Sequence, residues 1–267
     1  MIRWHLCLYR LALVLILGFI TLPLIVVLVA SLSPTSEVTF DATKWSLAWY
    51  GQLASARWIS PFLLSVRIAF IVAALSAVIG FLAAIAVVDE RLPGSAAIMS
   101  WLMSPLAVPQ IVKGVAIVLF LSRLGWQAQL GMPALVAGHL VLALPFVTRM
   151  IATSLYGFDR RLDRAAQILG ASRLQRLWHV LLPMVRPGIL SGVTFAFVLS
   201  FNNIPLSVFL ATPGHTTLPI TVINYLEYSL NPVMAAVNIA SMMFILAVIF
   251  LFERIGGFSA QLHGGSK

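Results

Sequence analysis

Six apolar stretches, near residues 11–32, 68–88, 96–121, 131–148, 188–211 and 233–252, dominate this sequence and leave the chain few ways to fold. A hydrocarbon core about 30 Å thick is crossed by about 20 helical residues, and the stretches have that length. Inside a bilayer every backbone N–H and C=O must find a partner within the protein, so only helices and closed barrels span it. Barrel strands read as short alternating segments, whereas these runs are continuous, so they predict helices. The expected fold is all-α, a polytopic membrane protein with six transmembrane helices in a single domain over 1–267. A soluble class is excluded by composition: hydrophobic residues make up 61% of the chain and charged residues only 9%.

Arg3 and Arg10 precede the first stretch, an arrangement shared with secretory leaders. Its long charge-free run fits an uncleaved helix better than the short apolar region of such a leader. The single cysteine, Cys7, excludes an intramolecular disulfide and reads as an inert thiol. With the N-terminus inside, Arg3, Arg10, Arg91, Arg149, Arg160, Arg161, Arg164, Arg173, Arg176, Arg186, Arg254 and Lys267 fall in cytoplasmic segments. Lys44, Arg57, Arg67 and Arg123 fall outside or near the outer interface. This asymmetry predicts that both termini are cytoplasmic. It also accounts for most of the net charge of +9 as basic loops facing anionic lipid, with no nucleic-acid partner required.

Between the fourth and fifth stretches lies a polar segment, DRAAQILGASRLQRLWHVLLP, from Asp163 to Pro183. Phe158, Leu162, Ala165, Ala166 and Leu169 recur at helical spacing, predicting an amphipathic helix over 159–169. Gly170 suits the left-handed position that ends a helix. Ser172 followed by Gln175 has the spacing of a capping box, with Leu174, Leu177, Trp178 and Leu181 giving the next helix an apolar face. Pro183 and Pro187 are expected to stop that helix before the fifth span. A helix, a tight turn and a second helix over 155–187 therefore face the cytoplasm. Two readings of this hairpin stay open from spacing alone: a basic element lying on lipid headgroups, or a docking element for another surface.

The sequence AAQILGASRLQRLWHVLLP resembles the cytoplasmic loop signature of binding-protein-dependent ABC import permeases: Glu-Ala-Ala, three residues, Gly, nine residues, Ile, one residue, Leu-Pro. Ala165, Ala166, Gly170, Val180, Leu182 and Pro183 fall on that spacing, with Ala171 beside the turn, while Arg164 stands where the family usually has Glu. The segments 45–53, 142–150, 155–172, 199–226 and 231–241 are similar to the polyamine-type (spermidine/putrescine) subfamily. The resemblance implies the type I importer permease fold, with a coupling hairpin docking on a cytoplasmic ATPase. It further implies a second homologous permease subunit, an ATP-binding-cassette ATPase dimer and a periplasmic solute-binding protein, met through segments 33–60 and 212–232. No phosphate-binding Gly-x-x-x-x-Gly-Lys-Ser/Thr occurs, since Lys44, Lys113 and Lys267 are the only lysines and none follows such glycines. ATP and Mg are therefore expected on the partner ATPase, with no cofactor bound by this chain and no catalysis of its own. An intramembrane hydrolase lacks its nucleophile motifs here, and an ion channel has no use for the hairpin.

Polar groups inside spans are expensive and commonly face a pathway. Gln110, Lys113, Asn202 and Asn203 are the pathway candidates, with Tyr225 and Glu227 near the outer mouth. Lys113 has an alternative role in snorkelling to the interface, and both asparagines in bonding neighbouring helices. His139 is expected to bond a neighbouring helix, and Pro109 and Pro205 to kink their spans. Polyamine permeases typically carry an acidic pair where this chain has Asn202 and Asn203, and commonly an acid at Gln110. The family label thus suggests a polyamine, while local charge suggests an anionic or zwitterionic solute such as an aminophosphonate or amino-acid derivative.

Overall fold

The computed structural model describes residues 2–35, 45–88, 94–157, 159–228 and 231–256. Lys44, Arg91, Phe158 and Lys267, with parts of segments 33–60 and 212–232 and the side chains of Arg3 and Cys7, lie outside the described residues. In chain order the helices are α1 (Ile2–Ser31), α2 (Ala48–Gln52), α3 (Ala56–Val88), α4 (Ser95–Met103), α5 (Gln110–Arg123) and α6 (Met132–Tyr156). There follow α7 (Arg160–Ile168), α8 (Arg173–Arg176), α9 (Leu182–Phe201), α10 (Ser207–Leu210), α11 (Leu218–Leu226) and α12 (Val233–Gly256). Among the described residues five helical segments are long and apolar enough to cross a membrane, and there are six if a bent pair counts as one span. The all-α polytopic fold is therefore the observed one.

Three spans differ from the sequence expectation. The third is not one helix over 96–121: Ser95–Ala107 and Gln110–Arg123 are bent by 98° at Val108–Pro109. Proline fixes its own φ and pushes the residue before it to extended backbone, and Val108 is extended at φ −89°, ψ 131°. The fifth span starts earlier than 188 and runs Arg173–Phe201 without interruption. Neither Pro183 nor Pro187 stops it: Pro187 lies inside α9, and ahead of Pro183 Leu177–Leu181 forms a π turn in which the Leu182 N–H reaches back five residues to the Leu177 carbonyl. That wider turn lets Pro183 take the first-turn place of α9, where its missing N–H costs nothing. At its far end the span breaks at Asn202 rather than continuing to 211, and Pro205 lies in that break. The second span is longer than 68–88: α3 has 33 residues, about 50 Å at 1.5 Å per residue, and outreaches the hydrocarbon core.

The chain forms two compact units, one of Met1–Ser60 with Val222–Ile245, the other of Pro61–Thr221 with Leu246–Lys267. In the first, the apolar window of α1 is wholly exposed, as suits a helix surrounded by hydrocarbon. Beyond it, the Trp49 indole N–H donates to the Ser33 carbonyl at 2.8 Å, and the Tyr50 and Ser31 hydroxyls lie 2.8 Å apart. In the second, α6 packs on α9. Lipid tails are as apolar as leucine, so close van der Waals fit between helices holds such a pair. Gly192 provides that fit: a Cβ there would stand 3.0 Å from a Val147 methyl group. Phe197, fully buried, anchors a ring cluster with Phe70 at 4.9 Å, Phe201 at 6.1 Å and Phe252 at 6.4 Å.

Candidate functional site

The hairpin is built almost entirely by local chemistry. Asp159 caps α7 by accepting from the Arg161 N–H at 2.9 Å. At the other end Gly170 has φ +83°, its N–H donates to the Gln167 carbonyl, and the Ala171 N–H reaches the Ala166 carbonyl, each at 3.0 Å. These two bonds are a Schellman motif, which fixes the turn and satisfies the last carbonyls of α7. Ser172 and Gln175 then close the expected capping box, side chain to backbone in both directions, at 2.8 and 3.3 Å. Across the turn, Arg176 Nη1 meets Asp163 Oδ2 at 2.6 Å.

What this turn presents outward is apolar. Ile168 and Leu169 are each 86% exposed, the most of any described large aliphatic residue. Arg164, Ala165 and Gly170 are also exposed; Ala166 and Ala171 are half-buried beside the turn. A Cβ on Gly170 would meet nothing within 4 Å, so the glycine answers to backbone conformation, not to crowding within the chain. Val180 lies in the π turn, Leu182 at its end and Pro183 in the first turn of α9, so the C-terminal part of the signature belongs to the membrane span itself. Ile168 was not singled out by the spacing argument, because it falls outside the 162–165–166–169 stripe. Arg160 was counted only as charge, yet its Nη2 donates to the carbonyl of Val88, the last residue of α3, at 3.0 Å. Arg186 likewise donates to the Ile255 carbonyl near the end of α12.

Within the membrane the second unit brings some of the polar candidates together. Asn203, 5% exposed, donates from Nδ2 to Gln110 Oε1 at 2.9 Å, while its Oδ1 accepts from the Leu206 N–H at 3.1 Å. It therefore ties the break in the fifth span to the start of α5. Lys113 Nζ donates to the Pro105 carbonyl at 2.9 Å, the same oxygen that accepts from the Val108 N–H at 3.3 Å, and so ties α5 to the segment before the 98° break. His139 is buried between the ends of the other break, its Nδ1 2.8 Å from the Ser200 hydroxyl and its Nε2 2.8 Å from the Ser207 hydroxyl. This is the helix-bonding role expected of it; Ser200 and Ser207 themselves gave no signal. Asn202 is exposed and is not part of the cluster. In the first unit, the Tyr225 ring packs edge-on against Trp58 at 5.4 Å and lies under the Arg57 guanidinium at 5.6 Å, while Glu227 is exposed.

Comparison with known proteins adds a family to this geometry. Residues 76–256 match the family described as binding-protein-dependent transport system inner membrane component. The putrescine transport system permease protein PotI of Escherichia coli (strain K12) is 33% identical over 227 residues, 82% of this chain and 80% of PotI. The spermidine/putrescine permease PotC of Haemophilus influenzae is 29% identical, covering 81% of this chain and 87% of PotC. A putative 2-aminoethylphosphonate permease, PhnV of Salmonella choleraesuis, is 26% identical over 93% of each chain. In fold, the chain matches a solved bacterial ABC transporter that imports the acidic polysaccharide alginate, with TM-score 0.74 at 15% identity over 96% of each chain. The chain thus belongs to the inner-membrane components of binding-protein-dependent transport systems and is a multi-pass permease subunit of an ABC importer, not itself an enzyme.

Proposed function

We propose that this permease carries a small organic solute of the polyamine class inward, after a periplasmic binding protein delivers it to segments 33–60 and 212–232. A second, homologous permease completes the pathway, and a dimeric ATPase holding ATP and Mg docks on the hairpin from the cytoplasm, where both termini also lie. Arg164, Ala165, Ala166, Gly170, Ala171, Val180, Leu182 and Pro183 are the coupling residues, within a hairpin spanning 155–187 of one transmembrane domain. The observation that carries this reading is an outward apolar tip, Ile168 and Leu169, on a turn fixed by backbone bonds and continuous with a membrane span. A headgroup-lying hairpin would present its apolar face sideways along the membrane, not at its tip.

The test is uptake by the whole complex in proteoliposomes. Gly170→Val strains a left-handed position at a cost of about 1–2 kcal/mol, and Ala166→Trp blocks close approach of another surface. Both variants are expected to insert normally and to lose the ATPase on purification together with uptake. Normal transport with the ATPase retained would reduce the hairpin to a membrane-surface element.

A second reading of the solute rests on charge. The acidic residues are Glu37, Asp41, Asp89, Glu90, Asp159, Asp163, Glu227 and Glu253; of the described ones, Asp159, Asp163, Glu227 and Glu253, only Glu253, in the last turn of α12, falls inside a membrane helix. Gln110, Lys113 and Asn203 offer amide and ammonium groups instead. Such a lining suits an anionic or zwitterionic solute, for example an aminophosphonate, better than a polycation.

A further inference from the structure

The hairpin is joined to two membrane helices by the chain itself, to α6 through residues 157–159 and to α9 at its other end, and to a third by a side chain. Its second half continues through the π turn into α9. Its first half is tied to a different span, because Arg160, the first residue of α7, donates to the carbonyl of Val88 at the end of α3. The carbonyls of a helix's last turn have no partner within the helix and carry partial negative charge, so a guanidinium there makes a strong, oriented bond. Between the two halves stands the Asp163–Arg176 ion pair at 2.6 Å, with the Arg176 side chain only 17% exposed. The Schellman turn and the capping box fix the remaining freedom of the hairpin. Any force applied at Ile168 and Leu169 therefore acts on a braced body fastened at three points, to α6, α9 and α3.

We propose that Arg160 is a positioning residue that transmits hairpin movement to α3, with Asp163 and Arg176 as the brace that keeps both halves moving together. This rests on the reading of the hairpin as the ATPase dock. In that arrangement ATP-driven closure displaces α3 together with α6 and α9; without Arg160 it reaches α6 and α9 but not α3.

The experiment uses the assembled complex in proteoliposomes, with ATP hydrolysis and solute uptake measured together. Arg160→Met keeps the length of the apolar stem and removes the guanidinium. It should retain the ATPase on purification and hydrolyse ATP, while solute imported per ATP falls about tenfold, the scale of one charge-assisted hydrogen bond. Arg160→Lys, which keeps a cationic donor, should recover part of the loss. Asp163→Arg and Arg176→Asp should each lower the same ratio, and the double exchange should restore it. Spin labels at Gln167→Cys and Ala86→Cys in a Cys7→Ser background report the linkage directly. Their separation should stay constant between nucleotide-free and ATP-trapped states with Arg160 present, and change between those states in Arg160→Met. An unaltered import-to-ATP ratio in Arg160→Met overturns the proposal, as does a constant label separation in that variant. Loss of the ATPase from Arg160→Met also overturns it, by making Arg160 a docking residue. Failure of the docking reading shows separately, as Gly170→Val retaining both ATPase and uptake.

Discussion

At the scale of single residues, the polar side chains inside the membrane first complete the backbone and only then offer anything to a solute. Lys113 bonds the Pro105 carbonyl, and Asn203 satisfies the Leu206 N–H while holding Gln110. An ammonium has three donors, so Lys113 keeps two beyond its bond to Pro105. This sharpens the choice between solutes. If the path carries a polycation, Asn203→Asp should preserve its shape and raise putrescine or spermidine uptake severalfold, and Lys113→Met should help by removing a like charge. If it carries an anion or zwitterion, both changes should lower uptake of 2-aminoethylphosphonate, by about tenfold for each like charge in a site of intermediate dielectric. Labelled spermidine and 2-aminoethylphosphonate, compared in proteoliposomes with each variant, decide the matter. Spermidine uptake insensitive to both substitutions would show that these side chains do not select the solute.

At the scale of elements, the decisive feature is the π turn at Leu177–Leu181. It sets the hairpin's rotation relative to α9, because one extra residue in a helix of 3.6 residues per turn rotates everything before it by about 100°. Deleting His179 should convert the segment to regular α-helix, turn Arg176 away from Asp163, and return Pro183 to a position where its ring clashes with the preceding turn. Insertion and ATPase activity of the partner are expected to survive while uptake is lost; uptake within twofold of the parent would mean that the hairpin's orientation is immaterial. This element also marks how far the sequence could be read. The turn and the second cap were legible because Gly170 and the Ser172–Gln175 pair act on backbone close by in the chain, whereas the Asp159 cap of α7 was not singled out. The continuity through Pro183 was not, since proline's local rule says stop and only the π bond from Leu182 to Leu177 overrides it. The Gln110–Asn203 and Arg160–Val88 bonds join residues 93 and 72 positions apart, and nothing in either neighbourhood announces its partner. The breaks at Pro109 and Pro205 were read as kinks because the polar groups that complete a full break come from elsewhere in the chain.

At the scale of the whole molecule, helix ends group the basic segments on one side and charge says which side that is. Arg160 on α3 and Arg186 on α12 each bond a carbonyl of the last turns of a membrane helix, where cations are favoured by the dipole. The same residues belong to the set that the Lys/Arg asymmetry places in the cytoplasm, beside anionic lipid that attracts each cation by about 1 kcal/mol. The basic segments and the C-terminal ends of α3 and α12 should therefore share the cytoplasmic side, with the loop after α5 and the turn at Thr212–His215 on the other. Single cysteines in a Cys7→Ser background test this with a membrane-impermeant maleimide on spheroplasts. Positions 127 and 215, both exposed, should label from outside. Positions 95 and 172 should label only after the membrane is opened. The broken third span makes this more than a check on span number. A re-entrant loop would return Gln127 to the side of Ser95, leave three spans to cross after it, and invert the position of every later loop. Labelling of 172 from outside together with silence at 127 would establish that arrangement, and would place the hairpin where no cytoplasmic ATPase could reach it.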